Sequence, residues 1–459
     1  MRPQVVFLCF ALAFAWIAPT VRLPSSGQAA EPESGPVRLI VAYQPGPNGA
    51  MMSPPAGLAH RVTNGSVTVF DAPSGGGQAA LKALRADPRV RHVEIDQPIE
   101  AHVQPNDLRY SDQWALAKVG APTAWNVVTG TRTITVAVID SGVDLTHPEF
   151  AGRILPGWNF VAKDGNANDD YGHGTHVAGI IAAAGNNKDG IAGMAWGVTI
   201  LPLKVLNASG AGYGSDLILA IDYARERGAK IVNISLGSSG ASTLLQEALD
   251  RANAAGILVI ASAGNTGASG NAAVYPGASP SVLAVGATDS NDKRAGFSTS
   301  GSYVDVSAPG VGIISTYRNG GYLTMSGTSM AAPMVAGLAA LIWSRTPTMT
   351  AAQVRQAILD SSLELGTSGV DDEYGAGRID AATWARRATG LPLLDPTPTP
   401  TAAPRTPTPA VSPTASPTPT RTPVPAYPSP ARPGQPSGAG PRSTTGQVFL
   451  PITSWRSLG

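Results

Sequence analysis

Three side chains far apart in the sequence, Asp140, His173 and Ser329, are of the types that carry out nucleophilic catalysis. A serine hydroxyl is a poor nucleophile near neutral pH and needs a base within hydrogen-bond reach. Imidazole supplies that base, and a buried aspartate holds its tautomer and stabilises the imidazolium that forms. Asp140 follows the apolar run Ile134 to Ile139, within Asp140-Ser141-Gly142. His173 lies in Gly172-His173-Gly174-Thr175-His176-Val177-Ala178-Gly179. Ser329 lies in Ser326-Gly327-Thr328-Ser329-Met330-Ala331-Ala332-Pro333, ahead of the unbroken apolar run Met334 to Trp343. Each has a bland reading when taken alone: a strand-end turn aspartate, a capping or core histidine, an N-cap serine. Together, in the order Asp, His, Ser, they form one of the known triad orders.

The elements that must position them follow from the apolar pattern. The run after Ser329 reads as a buried helix, thinned for close packing by Gly337, Ala336, Ala339 and Ala340. A serine in its first turn sits among free N–H groups at the positive end of the helix dipole, where a developing oxyanion is stabilised. Pro333 is expected in that first turn, where its missing N–H is not needed. Between about Gln104 and Gly390, short apolar strands alternate with helical stretches. The strands are Ile134–Ile139, Thr199–Val205, Ile231–Ser235, Leu258–Ser262 and Val282–Val285; the helices are Thr175–Ala184, Ser215–Arg227 and Ser242–Ala255. This alternation predicts an α/β fold, a three-layer and mostly parallel sheet with helices on both faces. Ligands in such folds bind beyond the carboxyl ends of strands, where Asp140 and Ser262-Ala263-Gly264-Asn265 fall.

The three motifs closely resemble the signatures of the subtilisin-like serine proteases, with the closest likeness to their thermitase-like branch. The resemblance runs from about Pro105 to Ala382 and includes Gly375-Ala376-Gly377-Arg378-Ile379-Asp380-Ala381. It implies catalytic roles for Asp140, His173 and Ser329, with Asn265 donating to the oxyanion beside the nucleophile's own N–H. It implies that Gly210 and Gly212, in Gly210-Ala211-Gly212, and Ser235, Leu236 and Gly237 hold an extended peptide as an added strand. Glycines suit this, because another backbone must approach closely. Ala263, Gly264 and Val274, the last within Val274-Tyr275-Pro276-Gly277, resemble the walls of the pocket for the side chain before the cut. No charge appears there, so apolar or aromatic side chains are expected. A cis Tyr275–Pro276 bond is expected as in relatives.

The resemblance also implies a structural calcium site. Asp107, Glu149 and the loop carrying Ala184, Asn187, Asp189 and Ile191 match its side-chain and carbonyl oxygens. Glu149 stands where an aspartate is usual. A second site is implied over Asn159 to Asp170, through Asp164, Asn166, Asn168 and Asp169, where Asn159 replaces an aspartate. The bland reading of both is a solvated polar loop.

Residues 1–30 read as a secretory signal peptide: Arg2, an apolar core Val5 to Ala18, and a small-residue cleavage site at Gly27 to Ala30. The chain's one cysteine, Cys9, lies inside it. Residues 31–104 read as a small α+β domain, which the resemblance makes an inhibitor-type propeptide. The remaining segments are the catalytic domain 105–390, a disordered Pro/Thr-rich linker 391–440 and a short tail 441–459. The linker is an extended spacer that can reach on the order of 100 Å. A net charge of +1 favours neither nucleic acid nor an anionic membrane. The expected protein is a secreted, calcium-stabilised, monomeric endopeptidase acting on polypeptides, with surface attachment through the stalk a further option. An idle peptide-binding module on the same fold is the alternative. A nucleotide-binding protein is disfavoured, since no Gly-rich phosphate loop with Lys follows the first strand.

Overall fold

The computed structural model describes residues 37–44, 57–73, 75–96 and 103–391. The signal-like segment and nearly all of the Pro/Thr-rich linker and tail lie outside the described residues. The chain divides into two compact units, residues 1–96 and 97–459.

The first unit is a four-stranded antiparallel sheet with one helix. Its strands are β1 (Val37–Tyr43), β2 (Ala59–Asn64), β3 (Val67–Ala72) and β4 (Val90–Ile95), in the order β2-β3-β1-β4. The period-2 pattern of β3 buries Thr68, Phe70 and Ala72 on one face. Helix α1 (Gly77–Arg85) lays Leu81 and Leu84 against Leu39, Val41, Phe70 and Val93. Strand β2 carries no buried residue, so its sequence has no alternation by which to recognise it.

The second unit is built on seven parallel strands. They are β5 (Thr135–Asp140), β6 (Trp158–Asn159), β7 (Thr199–Lys204), β8 (Ile231–Ile234), β9 (Leu258–Ser262), β10 (Leu283–Thr288) and β11 (Val306–Pro309), in the order β11-β10-β9-β8-β5-β7-β6. Their continuous apolar runs are those of a sheet covered on both faces. Val136, Val138, Ile231, Leu258 and Ile260 face one core, shared with helices α4 (His173–Ala182) and α7 (Thr328–Arg345). Ala137, Ile139, Val232, Ile234 and Val259 face the other, under α5 (Gly214–Glu226) and α6 (Thr243–Ala254). The short helices α2 (Trp114–Lys118) and α3 (Ala121–Trp125) and the later α8 (Ala351–Ser361) and α9 (Ala381–Thr389) pack onto the first core. A hairpin of β12 (Ile313–Tyr317) and β13 (Gly321–Met325) leads into α7, its turn made by Asn319 and Gly320 at positive φ.

Two details differ from the sequence reading. Helix α4 opens at His173 and ends at Ala182 rather than Ala184, because Ala183 is extended. Pro333 lies inside α7, beyond its first turn. Its missing N–H therefore costs a backbone bond, the one that the Ser329 carbonyl would otherwise accept four residues earlier. Close packing of α7 is as expected: a Cβ on Gly337 would overlap Met194.

Candidate active site

Asp140 ends β5, Ser235 follows β8, and Asn265 comes three residues after β9 ends. These strands are neighbours in the sheet, about 4.8 Å apart, so their tips lie within about 10 Å of one another. Asp140 is fully buried, and His173 Nδ1 lies 2.8 and 2.9 Å from its two carboxylate oxygens. This contact fixes the proton on Nδ1 and leaves Nε2 for other work. Burial alone would pull the imidazole pKa down. The Asp140 charge and hydrogen bond, with Asp169 behind them, outweigh this and hold it above its ordinary value.

The start of α4 is held by residues that the sequence reading had assigned elsewhere or passed over. Gly172, at φ 108°, has no capping side chain. Asp169 does that work: its carboxylate accepts from Gly172 N at 2.7 Å, Thr175 N at 2.8 Å, Thr175 Oγ1 at 2.6 Å and Ser141 Oγ at 2.9 Å. Ser141 in turn accepts from Gly174 N at 2.9 Å. Asp169 is thus the buried carboxylate that caps α4. The other residues read as a second cation site are also engaged. Asn159, Asp164, Asn166 and Asn168 accept from the backbone N–H groups of Val161, Asn166, Asn168 and Leu145. Beneath the Asp140–Ser141 turn, the buried Lys204 ammonium donates to the carbonyls of Ser141 and Leu206, both at 2.7 Å, and to Asp170 at 2.5 Å.

Ser329 is the second residue of α7. Its hydroxyl donates to the Ser235 carbonyl at 3.0 Å, and no hydrogen bond joins it to His173 among the described residues. Asn265 Oδ1 accepts from Thr328 N and Thr328 Oγ1, each at 2.9 Å, which leaves the Asn265 amide nitrogen to face elsewhere. A Cβ on Gly327 would lie 3.3 Å from that nitrogen and 3.6 Å from Ser329 N, so the two donors border one space. Thr328 is a residue that the sequence reading missed in this role, although it stands inside the quoted motif.

The pocket segments also meet. Ser238 and Tyr275 exchange two backbone hydrogen bonds at 2.8 Å, and Tyr275–Pro276 is cis. A Cβ on Gly237 would come within 2.6 Å of Val274 Cγ1, and one on Gly264 within 2.6 Å of Val274 Cγ2. Val274 therefore stands between Ser235-Leu236-Gly237 and Ala263-Gly264, with Tyr303 donating to the Ala263 carbonyl at 3.0 Å. Strands β7 and β8 flank β5, so Gly210–Gly212 and Ser235–Gly237 lie to either side of Asp140. Gly210 packs against the Tyr171 ring, and Leu206 bridges to Gly212.

Asp107 and Glu149, both buried, are brought to the loop after α4. Asp107 accepts from Asn186 N at 2.7 Å; Glu149 accepts from Ile191 N at 2.9 Å, Asn187 Nδ2 at 3.3 Å and Tyr322 Oη at 3.0 Å. Burial and the nearby Asp107 charge raise the Glu149 pKa despite these donors. Among the described residues no three His, Cys, Asp or Glu side chains converge on one point. Two buried carboxylates beside a side-chain amide are oxygen donors of the kind calcium takes, although the loop turns the N–H groups of Asn186, Asn187 and Ile191 toward them.

The architecture places the chain among the α/β proteins that work at the carboxyl edge of a parallel sheet. More narrowly, it belongs to the Subtilase family, whose profile matches residues 131–377. It is 42% identical over 299 residues to a thermophilic serine proteinase of Bacillus sp. strain AK1, covering 65% of this chain and 74% of the relative. It is 41% identical over 278 residues to thermitase of Thermoactinomyces vulgaris, covering 60% of this chain and 97% of thermitase. Among solved structures, it resembles one of proteases from Pseudoalteromonas arctica, with a TM-score of 0.57 and 32% identity. That match covers 62% of this chain and 100% of the other.

Proposed function

We propose that this chain is a serine endopeptidase in which Asp140, His173 and Ser329 form the triad. The observation that carries the reading is the buried Asp140–His173 pair at the tip of β5, beside a helix-start serine held at the tip of β8. His173 Nε2 takes the hydroxyl proton as Ser329 Oγ attacks the scissile carbonyl, while Nδ1–H stays on Asp140. The carbonyl oxygen becomes an oxyanion and is met by the Asn265 amide and the Ser329 N–H. The proton passes to the departing amine; water, activated by the same imidazole, then hydrolyses the acyl-enzyme. An extended substrate along Ser235–Gly237 competes for the Ser235 carbonyl and releases the Ser329 hydroxyl to His173.

The uncharged walls formed by Ala263, Gly264 and Val274 favour an apolar or aromatic side chain before the cut. Asp107, Glu149, Asn187 and the loop residues Ala184, Asp189 and Ile191 would hold a calcium ion. When bound, that ion supplies positive charge against two buried carboxylates. Residues 1–30 direct secretion. Residues 31–104 act as a propeptide, removed by the enzyme itself between about Ala101 and Asn106. Among the described residues no helix is long and apolar enough to cross a membrane. Purified chain is expected to hydrolyse peptide anilides with Phe or Leu before the cut, and Ser329→Ala to lose that hydrolysis and remain as uncut precursor. Efficient cutting by Ser329→Ala, or a preference for Arg or Lys, contradicts the reading.

A further inference from the structure

Four successive residues, from β12 into its turn, reach the backbone of the histidine segment. Ser315 Oγ donates to the His176 carbonyl at 2.7 Å and Thr316 Oγ1 to the Thr175 carbonyl at 2.7 Å. Tyr317 Oη donates to the Tyr171 carbonyl at 3.1 Å and Arg318 Nη1 to the Asp170 carbonyl at 2.6 Å. Ser315 and Thr316 are fully buried. The histidine segment is shaped to receive them: a Cβ on Gly172 would overlap the Tyr317 ring, and one on Gly179 the Thr316 and Ser315 hydroxyls. The ring of His176 closes the contact from the helix side, with Nε2 at 3.1 Å from the Ile313 carbonyl and 3.0 Å from that of Leu323.

Carbonyls 175 and 176 lie inside α4, where each already has an N–H partner four residues on. The added hydroxyls are therefore not needed to satisfy those carbonyls; what they add is a fixed position for the helix. The His173 ring has a hydrogen bond only to Asp140 among the described residues, so its distance from Ser329 follows from where α4 sits. The same hairpin continues through β13 into Ser326 and α7. We infer that β12 is a positioning strand: Ser315, Thr316 and Tyr317 register the general base against the nucleophile at the end of their own hairpin. This rests on the triad reading above.

The test uses the full chain after maturation, with kcat and KM on a peptide anilide measured well below the melting temperature. Thr316→Val keeps the shape and removes the hydroxyl. Its kcat is expected to fall about 10- to 100-fold with KM within about twofold, the loss that small misplacements of reacting groups produce. Thr316→Ser is expected to restore most of the rate. In a His173→Ala background, whose propeptide is cut in trans by wild-type enzyme that is then removed, Thr316→Val is expected to cost nothing more. Tyr317→Phe, whose ring stays on Gly172, carries the test if Thr316→Val does not fold, and is expected to lower kcat in the same way. An unchanged kcat with only a lower melting temperature overturns the inference, as does an equal loss in the His173→Ala background. If the wild type is active through Ser329 and these variants keep its kcat, the strand's role alone fails. If Ser329→Ala is as active as the wild type, the triad reading itself fails.

Discussion

At the scale of single residues, the proposed triad makes the electrostatics of His173 decide at what pH the site can work. An imidazole acts as a base only when neutral. The folded pKa of His173 is held above 6.5, since the Asp140 charge and hydrogen bond outweigh the opposing effect of burial. The neutral form therefore accumulates only at higher pH, and kcat/KM is expected to fall on acidification through a value above 6.5. For stability the sign is opposite: a raised imidazole pKa favours the fold below the unfolded value, and that contribution is lost as pH rises through the folded one. A pH profile of kcat/KM checks the expectation; an acid limb below 6.5 contradicts it. Asp140, His173 and Ser329 were legible because each sits in a motif of unusual composition. The capping role of Asp169 was not legible, since an aspartate among asparagines looks like a loop ligand until the fold turns its carboxylate onto Gly172, Thr175 and Ser141. Thr328 escaped notice for a similar reason: its hydrogen bond to Asn265 spans 63 positions of sequence.

At the scale of elements, the parallel strands were legible as uninterrupted apolar runs, which only a sheet buried on both faces requires. Strands β6 and β11 were not: β6 has two residues, and Val306-Ser307-Ala308-Pro309 is short and contains a proline, tolerated at the sheet edge where it lies. Helix α7 was legible as an element with Ser329 in its first turn, but the position of Pro333 within it was not. Its fit is testable at Gly337, where an added Cβ would overlap Met194. Gly337→Ala is expected to destabilise by about 1–3 kcal/mol, the usual cost of overpacking a filled core. Urea unfolding checks this; an unshifted midpoint would mean that α7 has room there.

At the scale of the whole molecule, the described part of the chain has no disulfide, and the loop after α4 brings two buried carboxylates together. The raised Glu149 pKa means that, without a cation, the folded state pays for that charge above the ordinary carboxylate range. Calcium at 100 times its Kd is expected to stabilise the protein by about 2.7 kcal/mol. Glu149→Gln is expected to melt no lower than the wild type in EDTA and to lose most of the calcium increment. Calorimetry with calcium and with EDTA checks both; an equal calcium shift in the two proteins would place the ion elsewhere. An α+β unit ahead of a larger α/β unit was legible in the strand–helix pattern, although the units divide at residues 96–97 rather than near residue 104. The antiparallel order of the first sheet was not, because β2 buries nothing.

In the proposed triad, Ser329 is a nucleophile activated by His173. The most direct measurement is labelling of the purified chain with a fluorophosphonate, followed by mass mapping of the adduct. One adduct per molecule is expected, on the peptide carrying Ser329, and absent at the same exposure in His173→Ala whose propeptide has been cut in trans. No adduct on the wild type, or an adduct on another residue, would contradict the account.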